Sequence, residues 1–124
     1  MLYLFLMLVV LAAWRELRPA AVERRRQAAL EVLEPGRAPL SRGERIGVVS
    51  GATVGRTTGN VIRLEEDSVS GRHAALHFDG GRWWVEDLGS TNGTYVNEAR
   101  VTGRAPLRPG DVVQFGLIAA RFQA

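Results

Sequence analysis

The apolar positions of this chain fall into two patterns. Residues 1–14, MLYLFLMLVVLAAW, are uncharged and would be apolar on every side of a helix, a pattern that seeks a fully apolar surround. From residue 27 onward, apolar and polar residues alternate over short runs cut by glycine, proline and aspartate, without a sustained helical period. Strands are predicted at residues 28–33, 44–49, 52–55, 61–64, 74–79, 82–87, 94–96, 100–101, 111–115 and 117–123, with the turn signals PGRAP, SG, DGG, TNG and RPGD among them. Ten or eleven short strands at this spacing, with no intervening helix, predict an all-β sandwich. No internal repeat is present.

A helix over residues 1–14 would be roughly 21 Å long at ~1.5 Å per residue, short of a hydrocarbon core of about 30 Å. Extension to Leu17, snorkelling by Arg15 and Arg18, local bilayer thinning, or a start site lying further upstream narrows that gap. The rival assignments are a cleaved signal peptide and a helix packed into a soluble core. A signal peptide carries positive charge ahead of its apolar stretch and a small-residue cleavage site behind it. Here the arginines follow, and Trp14-Arg15 comes straight after Ala12-Ala13. The reading adopted is a transmembrane anchor helix over residues 1–17, a basic juxtamembrane linker over 18–26 and one folded domain over 27–124. Because the arginines lie on the C-terminal side, the positive-inside tendency places that domain in the cytoplasm, in a single-pass protein of the cell membrane. The linker either lies against anionic lipid headgroups or is simply solvated.

Composition narrows the chemistry. A chain of 124 residues, 46% hydrophobic, supports one core of ordinary size. Cysteine is absent, which removes disulfides, thiolate metal sites and cysteine nucleophiles. All 16 Lys-or-Arg residues are arginine, so lysine Schiff bases and the P-loop lysine are excluded, and any phosphate must be met by arginine. The formal charge of +3 is concentrated: Arg15, Arg18, Arg24, Arg25 and Arg26 stand against Glu16 and Glu23, and from residue 27 onward arginines and acids balance. A nucleic-acid footprint over the domain is therefore not expected.

Three segments rich in glycine and small polar residues sit at strand ends: GRTTGN at 55–60, DSVSGRHAAL at 67–76 and DLGSTNGTYVN at 87–97. Loops on a rigid sandwich are where binding residues are usually placed. Gly-Arg, Ser-x-x-His and Thr-Asn-Gly, in this order and spacing, resemble the forkhead-associated (FHA) family, and the resemblance covers about residues 28–124. It implies an eleven-stranded β-sandwich whose loops at one end bind a phosphothreonine peptide. Carried over residue by residue, it makes Arg56 the arginine that meets the phosphate, a role suited to a planar guanidinium that can give two parallel hydrogen bonds. Ser70 becomes a hydroxyl donor to the same phosphate. Thr91 lies near the phosphate, and Asn92 bonds the ligand's main chain through its paired amide donor and acceptor. Arg72 either adds a second phosphate contact or is simply solvent-exposed. Gly55, Asn60, His73, Gly93 and Asn97 are given loop-supporting roles, with His73 shaping the binding loop from beneath. Asn92-Gly93 also carries the ordinary signal of a tight hairpin turn, and both roles can hold.

Enzyme readings find little support. His73 and His77 at i, i+4 on a strand are ~13 Å apart, too far to share one metal ion. Ser70, His73 and Asp87 can be strung into a triad on paper, but the strand–Gly-x-Ser-x-Gly–helix elbow is missing. No metal or cofactor is expected. Adjacent Trp83 and Trp84 point to opposite faces of a strand, and which is buried stays open. The function expected is a phosphothreonine-dependent adaptor at the cytoplasmic face of a membrane, recruiting a substrate of a Ser/Thr protein kinase. The alternative is a constitutive scaffolding protein with a vestigial phosphate site.

Overall fold

The computed structural model describes residues 3–7 and 26–124. Residues 3–7 are helical, with Tyr3, Leu4, Phe5, Leu6 and Met7 all exposed. The rest of the expected anchor, and the linker as far as residue 25, lie outside the described residues. Among the described residues no helix is long and apolar enough to cross a membrane.

Eleven strands follow: β1 (Ala28–Glu34), β2 (Arg45–Val48), β3 (Ala52–Gly55), β4 (Ile62–Arg63), β5 (Ala74–Asp79), β6 (Arg82–Asp87), β7 (Thr94–Val96), β8 (Ala99–Arg100), β9 (Arg104–Leu107), β10 (Val112–Phe115) and β11 (Ile118–Gln123). They form a six-stranded sheet ordered β2-β1-β11-β10-β7-β8 and a five-stranded sheet ordered β4-β3-β5-β6-β9. Pairing is antiparallel except between β3 and β4. Alternating side chains from the two sheets meet in one core that includes Leu30, Val54, Leu76, Val85, Phe115 and Phe122. In β6, Trp83 faces inward at 3% exposure. Its ring centroid lies 5.9 Å from Phe122 and 5.6 Å from Phe78. Trp84 lies on the outer face, with the Arg104 guanidinium 4.3 Å from its ring centroid and its indole N–H donating to the Asp79 carbonyl at 3.2 Å.

Three local outcomes differ from the pattern reading. β9 falls outside the predicted strands, because Pro106 interrupts its alternation. It is an edge strand, where a residue without an N–H is tolerated. Asn92-Gly93 does not close a hairpin: residues 88–93 carry the chain from β6 in one sheet to β7 in the other. A two-residue hairpin follows instead at β7–β8, closed by Asn97 (φ 49°) and Glu98 (φ 70°), the paired positive φ that a type I′ turn requires. Val96 pairs Ala99 across it, so β8 lies one residue earlier than predicted.

Three loops and one turn gather at one end of the sandwich: residues 56–61, 64–73 and 88–93, and the β10–β11 turn at 116–117. Phe122, fully buried between the sheets, tests the shared core. Phe122→Ala should lower stability by about 3–5 kcal/mol. Val49→Ala, at a position 62% exposed, should change it by less than about 0.5 kcal/mol. Urea unfolding followed by tryptophan fluorescence reads both, and a Phe122→Ala protein as stable as wild type would refute this account of the core.

Candidate functional site

The loops are joined through backbone groups and a single buried ring. β3 ends at Gly55, where the chain turns so that Arg56 N–H donates to the Ser70 carbonyl at 3.0 Å. Thr57 N–H (3.3 Å), Thr57 Oγ1 (3.0 Å) and Asn60 Nδ2 (2.6 Å) all donate to the Gly71 carbonyl. A Cβ added at Gly55 would collide with that same carbonyl oxygen, so the close approach of the two loops requires glycine there. Asn60 Nδ2 also reaches the Thr57 carbonyl at 2.9 Å, closing the 57–60 turn on itself. Arg63 Nε donates to the Arg56 carbonyl at 3.1 Å, and its guanidinium pairs with Glu65 at 2.7 Å.

His73 is fully buried beneath this surface. Its Nδ1 accepts from the Ser70 N–H at 3.0 Å, so the proton resides on Nε2, which donates to the Gly93 carbonyl at 2.9 Å. One imidazole thereby fixes the distance between the 64–73 and 88–93 loops. The same two loops meet again above it, where Thr91 N–H donates to Ser70 Oγ at 3.0 Å and Asn92 Nδ2 to the Ser68 carbonyl at 2.7 Å. Ser68 Oγ in turn accepts from Leu117 N–H at 2.8 Å, which ties in the β10–β11 turn.

Two carboxylates, one half-buried and one buried, complete the frame. Asp87 accepts from Ser90 Oγ (2.5 Å), Thr94 Oγ1 (2.8 Å) and the N–H groups of Gly89 and Ser90 (3.2 and 3.3 Å). Burial raises its pKa, but these donors outweigh it and hold the carboxyl below its usual range. Glu66, 4% exposed, accepts from Arg37 N–H at 2.5 Å and Ser68 N–H at 3.2 Å. These bonds, that to Arg37 foremost, depress its pKa. Neither residue is among the site residues read from the sequence. Asp87 carries a readable signal, an aspartate followed by Gly-Ser at i+2 and i+3 that favours a side-chain-capped turn. Glu66, between Glu65 and Asp67, carries none.

Arg56, Ser70, Arg72, Thr91 and Asn92 therefore lie on adjoining loops at one end. Arg56 and Arg72 are exposed, and their guanidiniums make no hydrogen bond or ion pair among the described residues. Ser70 Oγ accepts from Thr91 N–H, which leaves its own O–H to donate outward. Asn92 spends one amide hydrogen on Ser68 and keeps its carbonyl oxygen available. Gly93, at φ 87°, supplies the carbonyl that His73 holds. Asn97 lies apart, at the opposite end of β7. There its Oδ1 accepts from Val112 N–H at 2.9 Å and its Nδ2 donates to Asp111 at 3.0 Å. With both His73 nitrogens committed to backbone groups and Asp87 turned to Ser90 and Thr94, no base faces the Ser70 hydroxyl. Among the described residues no cluster of three or more His, Asp or Glu could hold a metal ion.

The arrangement can present a doubly anionic group with two arginines, a hydroxyl and an amide, and known proteins similar to this chain fit that chemistry. Residues 52–116 match the family described as FHA domain. FhaB of Mycobacterium tuberculosis strain H37Rv is 44% identical over 66 residues, which are 53% of this chain and 43% of that protein. The chain thus spans less than half the length of this relative. Among solved structures, M. tuberculosis EmbR in complex with a low-affinity phosphopeptide aligns with a TM-score of 0.69 and 26% identity, over 78% of this chain and 24% of EmbR. A structure from a study of phosphothreonine-dependent FHA domain interactions aligns with a TM-score of 0.67 and 29% identity, over 79% of this chain and 96% of that one.

Two outcomes test the frame. Gly55→Ala drives a Cβ into the Gly71 carbonyl and should both destabilise the protein and open the loop end, seen as faster amide exchange at Arg56 and Thr57. Exchange at those amides equal to wild type would refute the close-approach argument. His73 supplies a pH dependence. Burial lowers its pKa, against the raising effects of the Gly93 bond and the Asp87 charge. As pH falls through the unfolded-state value of about 6.5, the unfolded chain takes up a proton that the folded chain refuses, so stability is lost with acidification. The urea midpoint should therefore fall between about pH 7.5 and 5.5. His73→Gln should be less stable throughout and lose that slope, and an unchanged slope in the variant would assign it elsewhere.

Proposed function

This chain belongs to the FHA domain family, and on that footing we propose that its folded domain binds a phosphothreonine-bearing segment of a partner protein and catalyses nothing. The observation that carries this reading is the pair of unengaged guanidiniums, Arg56 and Arg72, beside a Ser70 hydroxyl whose acceptor side is already filled by Thr91 N–H. A phosphate brings nearly two negative charges and three strong acceptor oxygens, and this surface offers donors without competing acceptors at its centre. Arg56 gives the charge-assisted, forked bonds. Ser70 gives the hydroxyl bond, and Asn92 Oδ1 is left to accept from the ligand's main chain. His73 takes no part in chemistry: it holds the loops at the separation the phosphate requires.

The partner is a threonine-phosphorylated protein, which implies a Ser/Thr protein kinase in the same cell. The uncharged run at residues 1–14 followed by arginines supports tethering of the domain at the cytoplasmic face of a membrane. A constitutive scaffold with a vestigial phosphate site is the competing reading. It leaves unexplained why the two arginines make no ion pair among the described residues on so closely braced a frame.

Titration calorimetry of the full chain in detergent with a phosphothreonine peptide decides between them. Binding should be roughly micromolar, about −8 kcal/mol, and much weaker for the unphosphorylated peptide. Arg56→Ala should weaken it by about ten- to a hundredfold, or ~1.5–3 kcal/mol. Arg56→Lys should recover part of that loss, since an ammonium keeps the charge and loses the fork. Equal affinity for both peptides, or indifference to Arg56→Ala, returns the protein to the scaffolding reading.

A further inference from the structure

The end of the sandwich opposite the binding loops has a chemistry of its own. β1 begins there and β11 ends there, paired through Ala29 and Gln123. The β5–β6 turn closes there with Asp79 opposite Arg82, and the β9–β10 loop at 108–111 lies beside it. Between these elements is a cavity of about 500 Å³ walled by Phe78, Trp83, Leu107 and Phe122, with Arg82 and Arg108 at its rim. The chain arrives at the same place, where the guanidinium of Arg26 lies 5.7 Å from the centroid of the Phe78 ring.

The charges at this end are asymmetric. Asp79 is turned toward Arg104, 3.8 Å away. Both oxygens of the Asp111 carboxylate are engaged internally, by Arg108 N–H at 2.8 Å and Asn97 Nδ2 at 3.0 Å. Glu98 is exposed at the β7–β8 turn, and Ala124, the last residue described, lines the cavity alongside Arg82 and Arg108. Arg82 and Arg108 are exposed, and neither makes an ion pair among the described residues. In sequence they are joined by Arg24 and Arg25 immediately ahead of Arg26.

We propose that this end is a docking surface for anionic phospholipid headgroups, with Arg82 and Arg108 as the phosphate contacts on the folded domain. The inference rests on the membrane tether proposed above. The nine residues 18–26 reach at most about 30 Å even when fully extended, so a tethered domain is held within one such length of the bilayer. The end from which the tether emerges is the end that faces the lipid. It is also the end where arginines ring an apolar opening, and each arginine near an anionic leaflet adds attraction that decays within a Debye length. Seated this way, the domain turns Arg56, Ser70 and Asn92 toward the cytoplasm, where a phosphorylated partner approaches without passing the membrane surface.

The test uses the full chain in lipid nanodiscs of pure phosphatidylcholine or with phosphatidylglycerol at about one lipid in three, read by hydrogen exchange. Amides of 79–82 and 107–111 should exchange more slowly in the phosphatidylglycerol discs than in the phosphatidylcholine discs. The double variant R82E/R108E should abolish the difference, the two arginines together shifting the docked-to-undocked ratio by about thirtyfold. Phosphothreonine-peptide affinity should be the same in variant and wild type, which establishes that the variant is folded. Equal exchange in both discs overturns the proposal, and so does protection that persists in R82E/R108E. Protection already present in detergent also overturns it, because it would mean that another part of the chain covers the cavity. Failure of the chain to enter either disc is a separate result, which removes the tether and the docking surface with it.

Discussion

The loop-bearing end of this protein depends on the hydrogen bonding of one buried side chain. His73 engages all four of its polar groups: backbone N–H to the Val54 carbonyl, carbonyl from Leu88 N–H, Nδ1 from Ser70 N–H and Nε2 to the Gly93 carbonyl. These partners belong to β3, the 64–73 loop and the 88–93 loop, so a single rigid ring sets three segments in register. Its edge rests against Phe115 at 5.9 Å between centroids, which seats it on the core. A flexible side chain of similar polarity would lose entropy to hold this geometry, whereas the planar imidazole has its two nitrogens aimed apart by covalent structure. Burial keeps the ring neutral, and neutrality is what lets Nδ1 accept a bond.

Around that ring the loops are built from bonds that end on backbone. Gly71 and Ser68 offer carbonyls, and Asn60, Thr57 and Asn92 bring the side-chain donors. The two inward carboxylates act in the same way, Asp87 gathering the N–H and hydroxyl donors of its own loop and Glu66 binding the β1–β2 loop to the 64–73 loop. Polar groups buried without partners would be costly, and here none of the described residues has an orphaned buried side-chain atom. The consequence for function is a division of labour. Internal polar groups satisfy one another, and the side chains of Arg56 and Arg72 are left with their donors facing solvent. On the proposed function, a phosphate meeting them would replace water at sites whose geometry is already set, which limits the ordering cost of binding.

Much of this was legible from residue order alone. Alternation located ten of the eleven strands to within a few residues, since the period of two follows from the pleat itself. The arginine-only basic set excluded several chemistries by residue type, whatever the fold. The grouping of Arg56, Ser70, Arg72, Thr91 and Asn92 was what the resemblance of three short motifs to the FHA family implied. β9 was hidden because Pro106 breaks the pattern, and whether a proline-bearing run pairs at all depends on its having an edge to occupy.

Tertiary structure decided what no local window contains. Asn92-Gly93 has the composition of a hairpin, yet it lies on a crossover between sheets because β6 and β7 have different partners. Trp83 and Trp84 are equivalent by period, and only the position of Phe122 on the facing sheet makes Trp83 the inward one. The bonds that build the site join residues far apart in the chain, such as Ser70 to Thr91, His73 to Gly93 and Ser68 to Leu117. Sequence by itself indicated the fold class through alternation and the candidate ligand contacts through resemblance to the FHA family, while residue type set the kind of charge those contacts could present. Their convergence on one braced surface was settled only when two sheets closed over a common core, since that closure alone brings distant loops within hydrogen-bonding reach.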